Sequence, residues 1–384
     1  MRTRVDSFKA FLKKTSKNLT FKKPSLTPKS YFRDWMDRST YLRRYSAKWH
    51  QSYRGQKVAW PMPKAYGSSR IDFKSQLTFK YPEVGLLEIP NGKVIGKNAW
   101  IVGENDTLLP EFSIFGTDVE SLNRNILLPP AEPPIKKITG RCLSLVSTWP
   151  GNYYHFLLDS LPRHHLFEKA GFELVDIDWV YCPPTKYQNT QNLLEKVGFK
   201  SSQLITAADD FGIQADSLFA PSFPGTRGNH PKWVTQFLKE LANLPNEAPT
   251  RRLYISRKNW KRRLLNEEDV FSQLKRYGFE FYDPDQEENQ PLDFNQADII
   301  IAPHGAALAN LVFCQPGTKV LELIPTDHPF GYFYTLSQTN NLNYAYLMGQ
   351  SEHVRKKITS SPSKYDFTVD LSEFEATISE FLAI

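Results

Sequence analysis

The sequence predicts an α/β protein built as two Rossmann-like halves facing a ligand cleft, with a final helix packing back. Three observations carry that prediction. Strand-sized apolar runs alternate with helical stretches between residues 142 and 324, the pattern of a parallel sheet with crossover helices. A polar, proline-bearing stretch, Leu244-Pro245-Asn246-Glu247-Ala248-Pro249, interrupts the alternation. The chain has 384 residues, long for one domain and comfortable for two of roughly 100–200 residues.

Taken in order, residues 65–135 read as β- and turn-rich, with Pro82, Pro90, Asn91-Gly92 and Pro129-Pro130 punctuating short apolar runs such as Ala99 to Val102. Cys142 to Val146 is a buried strand. Tyr153 to Ala170 is one helix, stopped by Gly171. Trp179 to Cys182 is a strand, Asn189 to Val197 a helix ending at Gly198, Leu218 to Ala220 a strand and Pro231 to Leu241 a helix. Beyond the linker, Arg252 to Ser256, Phe279 to Tyr282, Ile299 to Ala302 and Lys319 to Ile324 are strands, and Glu267 to Tyr277 and Ala306 to Phe313 are helices. A final amphipathic helix carries Leu371, Phe374, Ile378, Phe381 and Leu382. The expected domains are a basic arm (1–64), an α/β domain (65–246), a second Rossmann-like domain (247–350) and a tail with its helix (351–384).

Charge separates the arm from the rest. Residues 1–64 hold 17 Lys/Arg against 3 Asp/Glu, and residues 65–384 hold 31 against 38, for a net charge of +7. A basic groove along the whole fold, as nucleic acid requires, is therefore not expected. The arm reads as two basic helices. One places Phe8, Phe11, Leu12 and Leu19 among lysines. The other interleaves Phe32, Trp35, Met36, Leu42, Tyr45 and Trp49 with Arg33, Arg38, Arg43, Arg44 and Lys48. That mixture suits an anionic membrane surface, and docking on the body or a solvated linker is the plain alternative. No apolar run reaches the ~18–20 residues of a membrane span, and the start lacks the apolar core and cleavage site of a secretory signal. Three scattered cysteines, Cys142, Cys182 and Cys314, exclude a disulfide framework or a four-ligand zinc site and suggest a reducing compartment.

Three constellations carry chemistry. In Gly151-Asn152-Tyr153-Tyr154-His155-Phe156-Leu157-Leu158-Asp159-Ser160-Leu161-Pro162-Arg163, His155 and Asp159 are four apart and share a helix face. They could take a proton from a hydroxyl, or be a surface pair of little consequence. Asn152 could cap the helix. In the second, the strand ending Tyr254-Ile255-Ser256 delivers Arg257, Lys258, Lys261, Arg262 and Arg263, where a parallel sheet binds ligands. Such cations fit a diphosphate, and a solvated basic loop is the alternative. In the third, Ile299-Ile300-Ile301-Ala302-Pro303 runs into His304-Gly305-Ala306-Ala307, a small-residue turn opening a helix whose N–H groups favour an anion. Glu322 then stands alone in an apolar strand and needs a partner, which ribose hydroxyls could supply; a Glu paired within the protein, or one on the strand's outer face, is the alternative. There is no G-x-G-x-x-G, no P-loop and no G-x-S-x-G. Two D-x-D triplets, Asp176-Ile177-Asp178 and Asp283-Pro284-Asp285, could hold a metal but read better as turn acids.

In this order the motifs G-N-Y-Y-H-F-L-L-D-S-L-P, Y-I-S-R with L-L-N-E, A-P-H-G-A-A-L-A-N-L-V-F and V-L-E-L resemble the glycosyltransferase 61 family over roughly residues 140–325. That family includes plant β-1,2-xylosyltransferase, extracellular O-linked N-acetylglucosamine transferase and bacterial proteins of capsular polysaccharide synthesis. The resemblance implies a GT-B fold, with the acceptor on the first domain and the nucleotide sugar on the second. It implies an inverting, metal-independent transfer to a glycan hydroxyl in surface polysaccharide synthesis, with no cofactor beyond a donor, expected to be UDP-linked. On it, Asp159 is the base, or His155 is the base with Asp159 orienting it, and Asn152 and Tyr154 are acceptor-side. Arg257, Arg262 or Arg263, His304, Gly305 and Ala306 hold the nucleotide sugar, and Glu322 binds ribose. The arm departs from the secretory-pathway members and implies a cytoplasmic protein, peripheral on the inner face of the membrane. The competing reading is a non-catalytic glycan- or nucleotide-binding protein on a degenerate fold.

Overall fold

The computed structural model describes residues 34–113, 133–184, 188–225, 228–351 and 365–383. It divides into two compact units: Met1–Gln56 with Tyr81–Arg227, and Lys57–Lys80 with Gly228–Ile384. Both are mixed α/β and Rossmann-like.

In unit 1 the central strand Ile135–Ser144 lies parallel to Trp179–Cys182 on one side and Gly212–Pro221 on the other, and Leu204–Thr206 extends the sheet. Numbered along the chain, these four strands run 3-2-1-4, the first half of a doubly wound fold. Cys142, Leu143, Leu218 and Phe219 are fully buried, as a sheet covered on both faces demands. Val84–Pro90 and Lys93–Ile95 add antiparallel strands to Gly212–Pro221.

Three expectations change here. The single helix over 153–170 is broken into Tyr153–His155, a π turn at Phe156–Ser160, and Arg163–Lys169. Pro162 has no N–H for the Leu158 carbonyl, and the chain instead closes from Leu161 N to Phe156 O at 2.9 Å.

The second basic helix of the arm is also replaced. Asp34–Trp35 pairs with Thr107–Leu108, and Lys48–Tyr53 pairs with Val84–Pro90. Only Arg38–Arg44 is helical, capped by Asp37, which accepts from Thr40 N at 2.9 Å. Met36 and Tyr41 are buried in the core, and Trp49 lies under the Arg38 guanidinium at 3.7 Å. These apolar residues face unit 1, so residues 34–56 are part of the body. The helix proposed around Phe8 to Leu19, and Phe32 and Arg33, lie outside the described residues.

The third change is the boundary. It falls at Arg227/Gly228 rather than at residue 247, and residues 57–80 join the second unit. The helix Lys232–Ala242 sits with unit 2, where Lys239 Nζ donates to Cys314 O at 2.7 Å. The proline-bearing stretch at 244–249 is thus a connection inside unit 2.

Unit 2 is a parallel sheet ordered Glu280–Tyr282, Arg251–Ile255, Ala297–Pro303, Lys319–Pro325, Asn343–Ser351. In chain order this is 2-1-3-4-5, a doubly wound order with its switch point between Arg251–Ile255 and Ala297–Pro303. Lys64–Tyr66 pairs with Asn343–Ser351 in parallel, and Phe367–Thr368 pairs with it antiparallel. The C-terminal helix Leu371–Ala383 packs back on this sheet through Phe374, Ile378 and Phe381. The helix expected over Ala306–Phe313 is present, of the 3₁₀ type and buried from Leu308 onward. There the Asn310 amide donates to Ala307 O at 3.1 Å, a local bond that competes with the α-helical ladder.

Candidate functional site

Each unit carries a polar constellation at the carboxyl end of its first strand. In unit 2, Arg251–Ile255 ends in Ser256 and Arg257. Glu267 gathers this turn, accepting from Tyr254 OH at 3.1 Å, Ser256 Oγ at 3.0 Å and Arg257 N at 3.3 Å. The Arg257 side chain is then aimed by a bond from Nε to Lys261 O at 2.7 Å. It lies directly against Gly305, where any Cβ would collide with the guanidinium. Glycine lets the guanidinium approach this closely, and its extended backbone would suit any residue.

Arg262 joins Arg257 from the same loop, held in the left-handed region at φ 63°. Among the described residues its buried Nη1 has no hydrogen-bond partner, and no carboxylate lies within ion-pair distance of either guanidinium. Burial pulls the Arg257 pKa down to about 9, with the Arg262 charge adding to it. Burial also lowers Arg262, opposed by Asp327 and Glu322. Two half-buried cations with no carboxylate in ion-pair contact among the described residues suit an anion.

Behind them, His304 Nδ1 and Glu322 Oε1 share a short hydrogen bond, and Tyr344 OH donates to Glu322 Oε2. Burial drives His304 well below the usual imidazole range, helped by Arg262 and Arg257. Burial pushes Glu322 up to about 8, against the pull of Tyr344 and Arg262. Both oxygens of Glu322 are thus engaged inside the protein. That makes it the buried partner of His304 rather than the open ribose contact expected of it.

In unit 1, Asn152 Oδ1 accepts from Tyr154 N at 2.9 Å and starts the helical turn. Tyr154 is buried and packs edge-on against the His155 ring at 5.1 Å. These two residues shape the turn that presents His155. The His155 Nδ1 and Asp159 Oδ2 atoms are 2.8 Å apart. Asp159 is almost fully buried while His155 keeps 18% of its side chain exposed. The pair thus has an inner acid and an outer imidazole. The chain from Tyr153 to Leu321, which takes in both constellations but for Asn152, Glu322 and Tyr344, matches the family model described as Glycosyltransferase 61.

Residues 153–321 are a glycosyltransferase 61 domain. The chain is therefore a transferase of sugars, with a sugar donor and a glycan acceptor as its general substrates. No curated protein matches the chain.

Within the glycosyltransferase 61 domain the structure also separates residues that the sequence left together. Arg263 turns away from Arg257 and Arg262. Its N–H, Nε and Nη2 all bind Asp366, at 2.8, 2.9 and 2.6 Å, on an exposed edge. Ala306 only opens the 3₁₀ segment. The D-x-D acids are occupied by protein donors. Asp176 takes Arg141 Nη1 and Asp178 takes Arg141 N, while Asp283 and Asp285 take Asn259, Lys258 and Trp260.

Three contributors went unassigned from sequence. Glu267 was visible in L-L-N-E but without a role. Tyr344 comes from a strand whose pairing with Lys319–Pro325 no local signal announces. Arg163 follows Pro162 and is fully buried. It donates from Nη1 to Val146 O, from Nε and Nη2 to Pro221 O at 3.1 and 2.6 Å, and from Nη2 to Phe112 O at 3.5 Å. Burial lowers its pKa to about 9, and Asp159 raises it again.

Proposed function

We propose that the protein is an inverting, metal-independent glycosyltransferase of GT-B type. In this reading it moves a sugar from a nucleotide-diphosphate donor, UDP-linked, to a hydroxyl of a growing surface glycan. The observation that carries the proposal is the pair of half-buried cations, Arg257 and Arg262, with no carboxylate in ion-pair contact among the described residues, at the switch point of unit 2. A nucleotide diphosphate is the ligand of a glycosyltransferase that such a pair fits.

The acceptor oxygen attacks the anomeric carbon, and the bond from that carbon to the diphosphate oxygen breaks. The leaving oxygen takes the electron pair. Its negative charge grows toward fixed guanidiniums, which lowers the barrier without a metal. The acceptor proton goes to His155. With Nδ1 on Asp159, Nε2 is the atom that receives it. Asp159 holds the tautomer and stabilises the imidazolium that results. His155 suits the base role better than Asp159 because it is the exposed member of the pair. His304 stays neutral, bridged to Glu322, and keeps the floor of the donor pocket from adding a third cation.

The ten Lys/Arg and one Asp of residues 1–33 would hold the protein at an anionic cytoplasmic membrane face. Calorimetric titration with UDP, GDP, TDP and their sugars tests the donor assignment. Binding of one nucleotide family, lost in Arg257→Ala, is expected. Absence of binding by every nucleotide would refute it.

A further inference from the structure

Trp149 is a residue that the reaction scheme leaves unused, and three observations meet on it. It is a large aromatic left 39% exposed. Its backbone stands in the left-handed region, φ 57°, which is rare and strained for a bulky residue. Its ring centroid lies 5.3 Å from that of His155, the planes inclined by 38°.

The local turn explains the backbone. Asn152 N donates to Trp149 O at 3.0 Å, closing Trp149-Pro150-Gly151-Asn152 so that Asn152 can cap the helix at Tyr153. Pro150 suits the second position of such a turn. The turn does not explain the side chain. Glycine or asparagine would take this backbone more easily, and an indole this exposed recovers little from burial. Strain kept at a site beside a reacting group suggests a use for the group that is strained.

We infer that Trp149 is the binding platform for the acceptor sugar. One face of a pyranose presents several axial C–H groups, and the indole face is negative and apolar. Stacking would bury that face and leave the ring hydroxyls directed sideways, toward His155. The platform would fix which hydroxyl reaches the imidazole, and hence the linkage made. The inference rests on the reading of His155 as acceptor base.

Saturation-transfer NMR tests it on the full chain, with methyl β-glucoside, galactoside, xyloside and N-acetylglucosaminide as probes. At least one should receive saturation, strongest on its axial C–H protons. Trp149→Ala should weaken that glycoside about tenfold or more, and Trp149→Phe no more than about threefold. Trp149→Gly should melt no lower than wild type, because the backbone strain is relieved.

No saturation of any glycoside by wild type would overturn the inference, as would equal binding by Trp149→Ala. So would a Trp149→Ala defect confined to kcat, or a Trp149→Gly protein melting well below wild type, since the indole would then serve packing. Asp159→Asn distinguishes the underlying reading. It should bind the glycoside normally and fail to transfer. Normal transfer by Asp159→Asn would sink the base assignment while leaving the glycoside titration to decide on Trp149.

Discussion

The two units, both built on parallel strands but in different order, serve opposite electrostatic ends. Each places polar groups at the carboxyl end of its first strand, beside its switch point. Each also draws in an arginine there, Arg163 fully buried and Arg257 half-buried. In unit 1 Arg163 is satisfied by the carbonyls of Val146, Pro221 and Phe112, and the reactive group we propose is a His–Asp pair. In unit 2 Arg257 has one carbonyl, that of Lys261, and Arg262 leaves Nη1 without a partner among the described residues. A guanidinium drawn into the protein is thus closed off or left open to a ligand according to how many of its donors the protein itself meets.

The comparison breaks most readily at the dyad. Asp159→Asn should lower kcat by about 10³–10⁴ while donor affinity stays within about threefold of wild type. Normal turnover would mean that unit 1 holds no base. Next come the arginines. Arg257→Ala should lower kcat/KM by about 10²–10³ with an unchanged melting temperature. Arg163→Met should do the reverse in kind, lowering stability by about 3 kcal/mol or more because carbonyls lose their donor. Equal melting of the two variants would erase the distinction drawn here.

The smallest effect is a pH slope. Glu322 rises to about 8 in the folded protein, so between its unfolded value and about 8 the folded state holds a proton that the unfolded state has lost. Stability from this group is therefore present at low pH and lost as pH rises. His304 is depressed and works the other way, gaining stability up to its unfolded value near 6.5. The two slopes oppose each other below about pH 6.5, and only the fall remains between about 6.5 and 8. It amounts to about 2 kcal/mol. Denaturation midpoints at the two pH values should differ in wild type. In Glu322→Gln, which keeps both hydrogen bonds, they should converge, and an unchanged slope would refute the assignment.

Much of this was readable from residue order. The strands at Cys142, Trp179, Leu218, Arg252, Ile299 and Lys319 are apolar runs bounded by turns, and local pattern suffices for them. His155 and Asp159 are brought together by spacing alone, even across the π turn. What local pattern missed depends on distant partners. Trp49 reads as an interfacial aromatic until Val84–Pro90 pairs with its strand. Arg262 and Arg263 are adjacent cations in sequence, and only Asp366, far along the chain, pulls one of them aside. Glu322 looks like an open ligand until Tyr344 and His304 close on it.

The path of the chain has one more consequence. It runs through the first unit, lends residues 57–80 to the second, returns, and crosses again at Gly228. Lys64–Tyr66 and Phe367–Thr368 line the outer side of Asn343–Ser351 between them. During synthesis the early strand must wait for its mate, on the order of tens of seconds at about 5–20 residues per second. A fragment begun at Gly228 would carry the Ala345, Tyr346 and Leu347 stretch of that strand as an open, apolar edge, a template for association with other chains. Expression of the second unit as a soluble piece should therefore need residues 57–80, supplied by fusion or as a separate peptide.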